Sequence, residues 1–196
     1  MSSNAFASEL LLRNNDYVNV YHQGPPTLKQ VRETAVPIRA MIFTCMDPRV
    51  DPAAILQLKP GGKYILLILK TIKLLMRSVE AVIARNAGGD PSANILDLLA
   101  VDGMLKFQEI IVMHHTDCGK MQHTDHEIRG FLKQQAPGHE VEIDALEFGS
   151  FKDPHERGRQ SVAYLKNHPL VRKELVQNVT ALVFDTQTGV VSRVEA

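Results

Sequence analysis

Cys45, Asp47 and Arg49 place a thiol, a carboxylate and a guanidinium at every second position of Thr44-Cys45-Met46-Asp47-Pro48-Arg49. In an extended backbone a period of two sends all three side chains to one side, so three reactive groups would share one small volume. Far along the chain, His114-His115-Thr116-Asp117-Cys118-Gly119 closes the apolar run that begins at Glu109 and holds the second of only two cysteines. Cys45, His115 and Cys118 make a two-sulfur, one-nitrogen ligand set, which suits Zn²⁺ and leaves a fourth position for water. Three protein ligands and an open position are a catalytic arrangement.

Each residue has a duller reading. Short His/Cys spacings arise by chance, a cysteine at a strand end serves as a small buried hydrophobe, and an Asp–Arg pair is an ordinary surface ion pair. The coincidence of both motifs in one chain favours the site. His114 is turned to the opposite face by strand alternation and reads as a packed histidine. His123 and His126 read as solvated loop residues, with a cluster around Cys118 or proton shuttling as their alternative uses.

The elements that must position these groups follow from the pattern around them. Ile38 to Thr44 and Glu109 to His114 are buried-strand runs, and Glu80 to Arg85 is a third, followed by the loop Asn86-Ala87-Gly88-Gly89-Asp90-Pro91. Two glycines there allow close backbone approach or positive φ. If the strands are parallel neighbours, both sulfurs reach the same carboxyl edge of the sheet, where α/β sites are built. Pro48 supports this, since it biases Asp47 away from the helical region as the chain leaves its strand. Helices are expected over Ala5 to Tyr21, Pro52 to Leu58 with Asp51 as cap, Ile95 to Leu105, His126 to Gln135, Asp153 to Asn167 and His168 to Asn178. Val179 to Asp185, a Thr186-Gln187-Thr188-Gly189 turn and Val190 to Val194 read as a strand, a tight turn and an antiparallel edge strand. The expected fold is a single α/β domain over residues 1–196: a mostly parallel sheet with an antiparallel edge strand, helices on both faces and right-handed crossovers.

With 196 residues and 44% hydrophobic content the chain supports one sizeable core. Lys plus Arg equals Asp plus Glu at 22 each, so no global field recruits nucleic acid or an anionic membrane. Two cysteines are no disulfide framework, and the early residues lack a secretory or transit pattern, which points to a reducing, cytoplasmic setting. Lys63 to Val79 projects Lys63, Lys70, Lys73 and Arg77 into one sector, as in an amphipathic helix with a basic stripe, too short and too charged to span a bilayer.

Cys45-x-Asp47-x-Arg49 with His115-x-x-Cys118 resembles the signature pair of the β-class carbonic anhydrases. Arg85-Asn86-Ala87-Gly88 is similar to that family's loop, and Asp185 to Gly189 to its terminal strand and turn. The resemblance implies zinc on Cys45, His115 and Cys118, Asp47 and Arg49 as the catalytic dyad, and reversible hydration of carbon dioxide to bicarbonate through a zinc-bound hydroxide. It also implies at least a homodimer, whose active-site cleft the neighbouring subunit completes. In some members the equivalent aspartate occupies the metal. Hydrolysis of carbonyl sulfide or carbon disulfide on the same fold is one alternative, and a non-catalytic zinc-binding protein is another. Joining Gly62 to Glu80 would give a more family-like run, so residues 63–79 read as an insertion: a subfamily-specific helix or translated intervening sequence.

Overall fold

The computed structural model describes residues 5–18, 38–58 and 80–195. The chain divides into two compact units, Met1–Ala35 and Val36–Ala196. In the first, helix α1 (Ala5–Asp16) exposes Phe6, Leu11 and Leu12 to solvent. The end of the helix expected to reach Tyr21 and the segment 63–79 lie outside the described residues.

The second unit is an α/β fold around a five-stranded sheet. Its elements in order are β1 (Ala40–Cys45), α2 (Pro52–Ile55), β2 (Ala81–Asn86), α3 (Ile95–Leu105), β3 (Glu109–His115), α4 (Asp125–Gln135), α5 (Glu140–Asp144), α6 (Pro154–Asn167), α7 (Lys173–Val176), β4 (Val179–Phe184) and β5 (Val191–Arg193). The strand order is β2-β1-β3-β4-β5; among the described residues only the β4–β5 pair is antiparallel. β1 is buried at all six positions because it has a parallel neighbour on each side, which explains its unbroken apolar run. One face sets Met41, Phe43, Ile110 and Val112 against Leu98 of α3, Leu165 of α6 and Leu175 of α7. The other packs Ile42, Met113 and Phe184 with Val50 and with Ile55 of α2.

The chain leaves β1 toward β2 on one side and leaves β3 toward β4 on the other, so the carboxyl ends of β1 and β3 flank a topological switch point. Cys45 ends β1 and His115 ends β3. The short helices are placed by their caps: Asp51 accepts from Ala53 N at 3.1 Å, and Thr124 with Glu127 forms a reciprocal capping box on α4.

The helix expected over His168 to Asn178 is cut to Lys173–Val176. Arg172 stays extended (φ −56°, ψ 139°) to reach Asp102, donating from Nε at 2.7 Å and Nη2 at 2.9 Å, and it also binds the Phe107 carbonyl. Asp102 is buried and accepts the Phe107 amide as well, so this one carboxylate locks the end of α3 to the start of α7. The Arg172 guanidinium holds its pKa below the ordinary carboxyl value. The stabilisation is therefore complete above the usual carboxyl range and is lost as pH falls through the lowered value. Asp102→Ala, which strands Arg172, is expected to cost about 3 kcal/mol, read from urea unfolding at pH 7.

Candidate metal centre

β1 delivers Cys45, β3 delivers His115, and the turn after β3 returns Cys118 toward them. That turn needs a left-handed residue, and Asp117 supplies it at φ 54°, a conformation Asp tolerates better than most side chains. Cys45, His115 and Cys118 are all buried, and their ligand atoms lie within 4.8 Å of one another. The two sulfurs are 3.8 Å apart. That is far beyond a disulfide bond of ~2.05 Å, and it matches the ~3.8 Å between two sulfurs held ~2.3 Å from one tetrahedral zinc.

The imidazole is set for the same purpose. His115 Nδ1 lies 2.8 Å from the Thr116 carbonyl, which can only accept, so Nδ1 carries the proton and Nε2 presents its lone pair. Nε2 is buried without a hydrogen-bond partner. Such an orphan costs roughly 1–3 kcal/mol unless something binds it, and a metal shared with the two sulfurs would. The donor set therefore fits zinc by chemistry, spacing and an unfilled valence.

Contact with Cys118 lowers the Cys45 pKa well below that of an ordinary thiol; burial opposes this, and His115 and the backbone N–H groups of Asp47 and Gly88 add to it. Cys118 moves up, through Cys45 first and burial second. Burial pushes His115 down, but Cys45, the Thr116 carbonyl and Asp47 together outweigh it and the net shift is upward.

Asp47 and Arg49 meet, but not through the expected strand alternation. β1 ends at Cys45, and Pro48 and Arg49 lie in a turn, so these residues share a volume by folding back and not by strand periodicity. Asp47 donates its amide to Cys45 Sγ at 3.4 Å. Its carboxylate accepts the Arg49 amide at 2.9 Å, Nε at 3.0 Å and Nη2 at 2.7 Å. Arg49 thereby depresses the Asp47 pKa to about 2. Asp47 faces Arg49 and stays outside the sulfur and imidazole cluster.

Two residues around Asp47 and Arg49 make contacts that the sequence motifs do not assign. Asp117 takes Arg49 Nη1 on its carboxylate at 2.8 Å and Nη2 on its carbonyl at 2.9 Å, so the guanidinium is gripped from both sides. Its position between His115 and Cys118 was the available signal. Arg85, on β2, donates to the carbonyls of Cys45, Asp47 and Val50 and braces the whole loop. Asn86 closes its tight loop by exchanging hydrogen bonds with the Asp90 backbone. His123 and His126 are exposed and outside the cluster, and His114 is buried among packed groups.

A family model described as carbonic anhydrase matches residues 40–191. The chain is 28% identical to "Beta-carbonic anhydrase 1" of Mycobacterium tuberculosis over 95% of its own length and 96% of that protein. It is 26% identical to a carbon disulfide hydrolase of Saccharolobus solfataricus, across 93% of this chain and 86% of the relative. The crystal structure of a carbonic anhydrase from Streptococcus mutans superposes with a TM-score of 0.72 at 29% identity, covering 97% and 98% of the two chains.

Proposed function

Because this chain belongs to the β-carbonic anhydrase family, a family of lyases, we propose that it interconverts carbon dioxide and bicarbonate with one zinc held by Cys45, His115 and Cys118. The observation that carries this reading is the buried, unpartnered His115 Nε2 facing two sulfurs 3.8 Å apart. Bound there, zinc supplies Lewis acidity, so that water becomes a nucleophile near neutral pH.

The chain's own groups orient that chemistry. Asp47, with its pKa near 2, is a carboxylate at any working pH, so it accepts a hydrogen bond from the attacking oxygen and does not donate one. Arg49 fastens the carboxylate along one edge, leaving its other lone pairs free, and Asp117 stops the guanidinium from swinging away. Arg85 fixes the backbone carbonyls of Cys45 and Asp47, which sets the distance between ligand and dyad.

Two free cysteines suit a reducing compartment, and we place the protein in the cytoplasm. Among the described residues no helix is long and apolar enough to cross a membrane. The apolar surface of α1, with Phe6, Leu11 and Leu12 exposed, supports assembly into a homo-oligomer.

Stopped-flow hydration of carbon dioxide by zinc-loaded protein tests the reading. Asp47→Ala is expected to keep its zinc and lose about a hundredfold in kcat/KM. Protein that binds one zinc per chain and hydrates no carbon dioxide would overturn the proposed substrate. The similarity to a carbon disulfide hydrolase makes sulfide release from carbon disulfide the second arm, and activity there alone would move the assignment to that hydrolysis.

A further inference from the structure

Thr116 stands between His115 and Cys118, and the β4–β5 turn holds it. Its N–H donates to the Phe184 carbonyl at 3.0 Å, which continues the β3–β4 ladder one step beyond His115. Its hydroxyl oxygen accepts the Thr186 N–H at 3.0 Å and lies 3.1 Å from the Thr186 hydroxyl, which in turn reaches the Thr116 carbonyl at 3.4 Å. A carbonyl only accepts, so the Thr186 hydroxyl gives its proton to that carbonyl and receives the proton of Thr116. The same Thr116 carbonyl is the acceptor of His115 Nδ1 at 2.8 Å, and its peptide opens the turn at Asp117 that returns Cys118. The segment that presents Thr186 is itself fixed: Asp185 Oδ1 accepts the amides of Gln187 at 2.8 Å and Thr188 at 3.0 Å, and the Asp185 carbonyl accepts that of Gly189 at 2.9 Å.

We propose that Thr186 is a positioning residue: through Thr116 it holds the carbonyl that orients the His115 ring and begins the Cys118 turn, so the β4–β5 connection sets the geometry of two metal ligands. The inference rests on His115 and Cys118 being ligands. An imidazole presents its lone pair along a direction fixed by the bond its other nitrogen makes, so a tilted carbonyl tilts the ring. Asp117, at φ 54°, occupies a conformation that residues with a side chain leave by rotating the peptide plane that carries this carbonyl. The bonds from Thr186 oppose that rotation. His115 cannot do so alone, because its ring lies on the adjacent residue and moves with the same backbone, whereas Thr186 reaches across 70 residues from a separate turn.

Two substitutions separate this role from packing. Thr186→Val keeps the branched shape and the backbone N–H but removes the hydroxyl. Thr186→Ser keeps the hydroxyl and removes the methyl group. The readouts are zinc affinity by chelator competition, the ligand-field absorption bands of cobalt-substituted protein, and urea unfolding of the metal-free protein. The expected result is zinc binding weakened about 10-fold with shifted cobalt bands in Thr186→Val, and wild-type affinity and bands in Thr186→Ser. If Thr186→Val does not fold, Thr186→Ala against Thr186→Ser decides by the same readouts. A Thr186→Val protein that unfolds at lower urea yet keeps wild-type zinc affinity and cobalt bands would reduce Thr186 to a packing residue and overturn the proposal, as would equal effects in the Val and Ser variants. Wild-type protein that takes up no metal would instead overturn the ligand reading, and this proposal with it.

Discussion

Cys118→Ser is expected to bind zinc about a thousandfold more weakly than the wild type and to lose measurable hydration of carbon dioxide. Zinc sites of this kind are worth roughly 12 kcal/mol at neutral pH, and removing one of three protein ligands forfeits about a third of it, or about 4 kcal/mol. Serine cannot substitute, because its hydroxyl stays protonated where a thiol beside a metal ionises. Neither His123 nor His126 can take its place, since both are exposed and outside the cluster. Competition against a chromophoric chelator measures the affinity, and circular dichroism confirms the fold. An unchanged affinity would remove Cys118 from the ligand set.

Gly89→Ala is expected to damage stability and metal binding together. Gly89 sits at φ 69°, and a Cβ there would meet the Cys45 amide nitrogen and the Thr44 carbonyl carbon at 2.9 Å, both of them main-chain atoms that cannot swing aside. The contact is with the very residue that presents the first sulfur. A strained conformation and a clash at the end of the central strand should cost about 3 kcal/mol, measured by urea unfolding of the metal-free protein, and zinc retention should fall with it. Gly103→Ala is the control. It lies in α3 with nothing within 4 Å of its added methyl, and alanine there should stabilise the helix by about 0.5–1 kcal/mol. Equal behaviour of the two variants would rule out the close approach at Gly89.

The sequence announces the strands because burial dictates their composition. β1 and β3 are enclosed by parallel neighbours, and their unbroken apolar runs report that enclosure directly. The cluster of Cys45, His115 and Cys118 is legible for a related reason: each stands at or just past the end of such a run, so sheet order brings the strand ends together and the turn at Asp117 returns Cys118 to them. What the one-dimensional pattern hides are contacts decided by a single long side chain. Arg49 meets Asp117 across 68 residues, and Arg172 meets Asp102 across 70, bending the chain out of the helix its local propensity favours. Nor does periodicity reveal that Asp47 and Arg49 pair in a turn, because a turn and a strand both bring alternate residues close. Strand alternation makes His114 a packed residue, and it is buried; its hydrogen bonds to Gly88 and Ser161 depend on elements that only the folded chain apposes.

Arg85 gives the outer strand of the sheet a second duty. Among the described residues β2 pairs only with β1, as Thr44 opposite Arg85 and Cys45 opposite Asn86. Sliding that strand by one residue would preserve most of its backbone hydrogen bonds while turning Arg85 to the opposite face, away from the carbonyls of Cys45, Asp47 and Val50. A misaligned molecule would keep nearly all of its secondary structure and lose the brace of its metal loop. A metal bound by Cys45, His115 and Cys118 would favour the aligned register over such a slipped one, because binding to one form alone draws the population toward it.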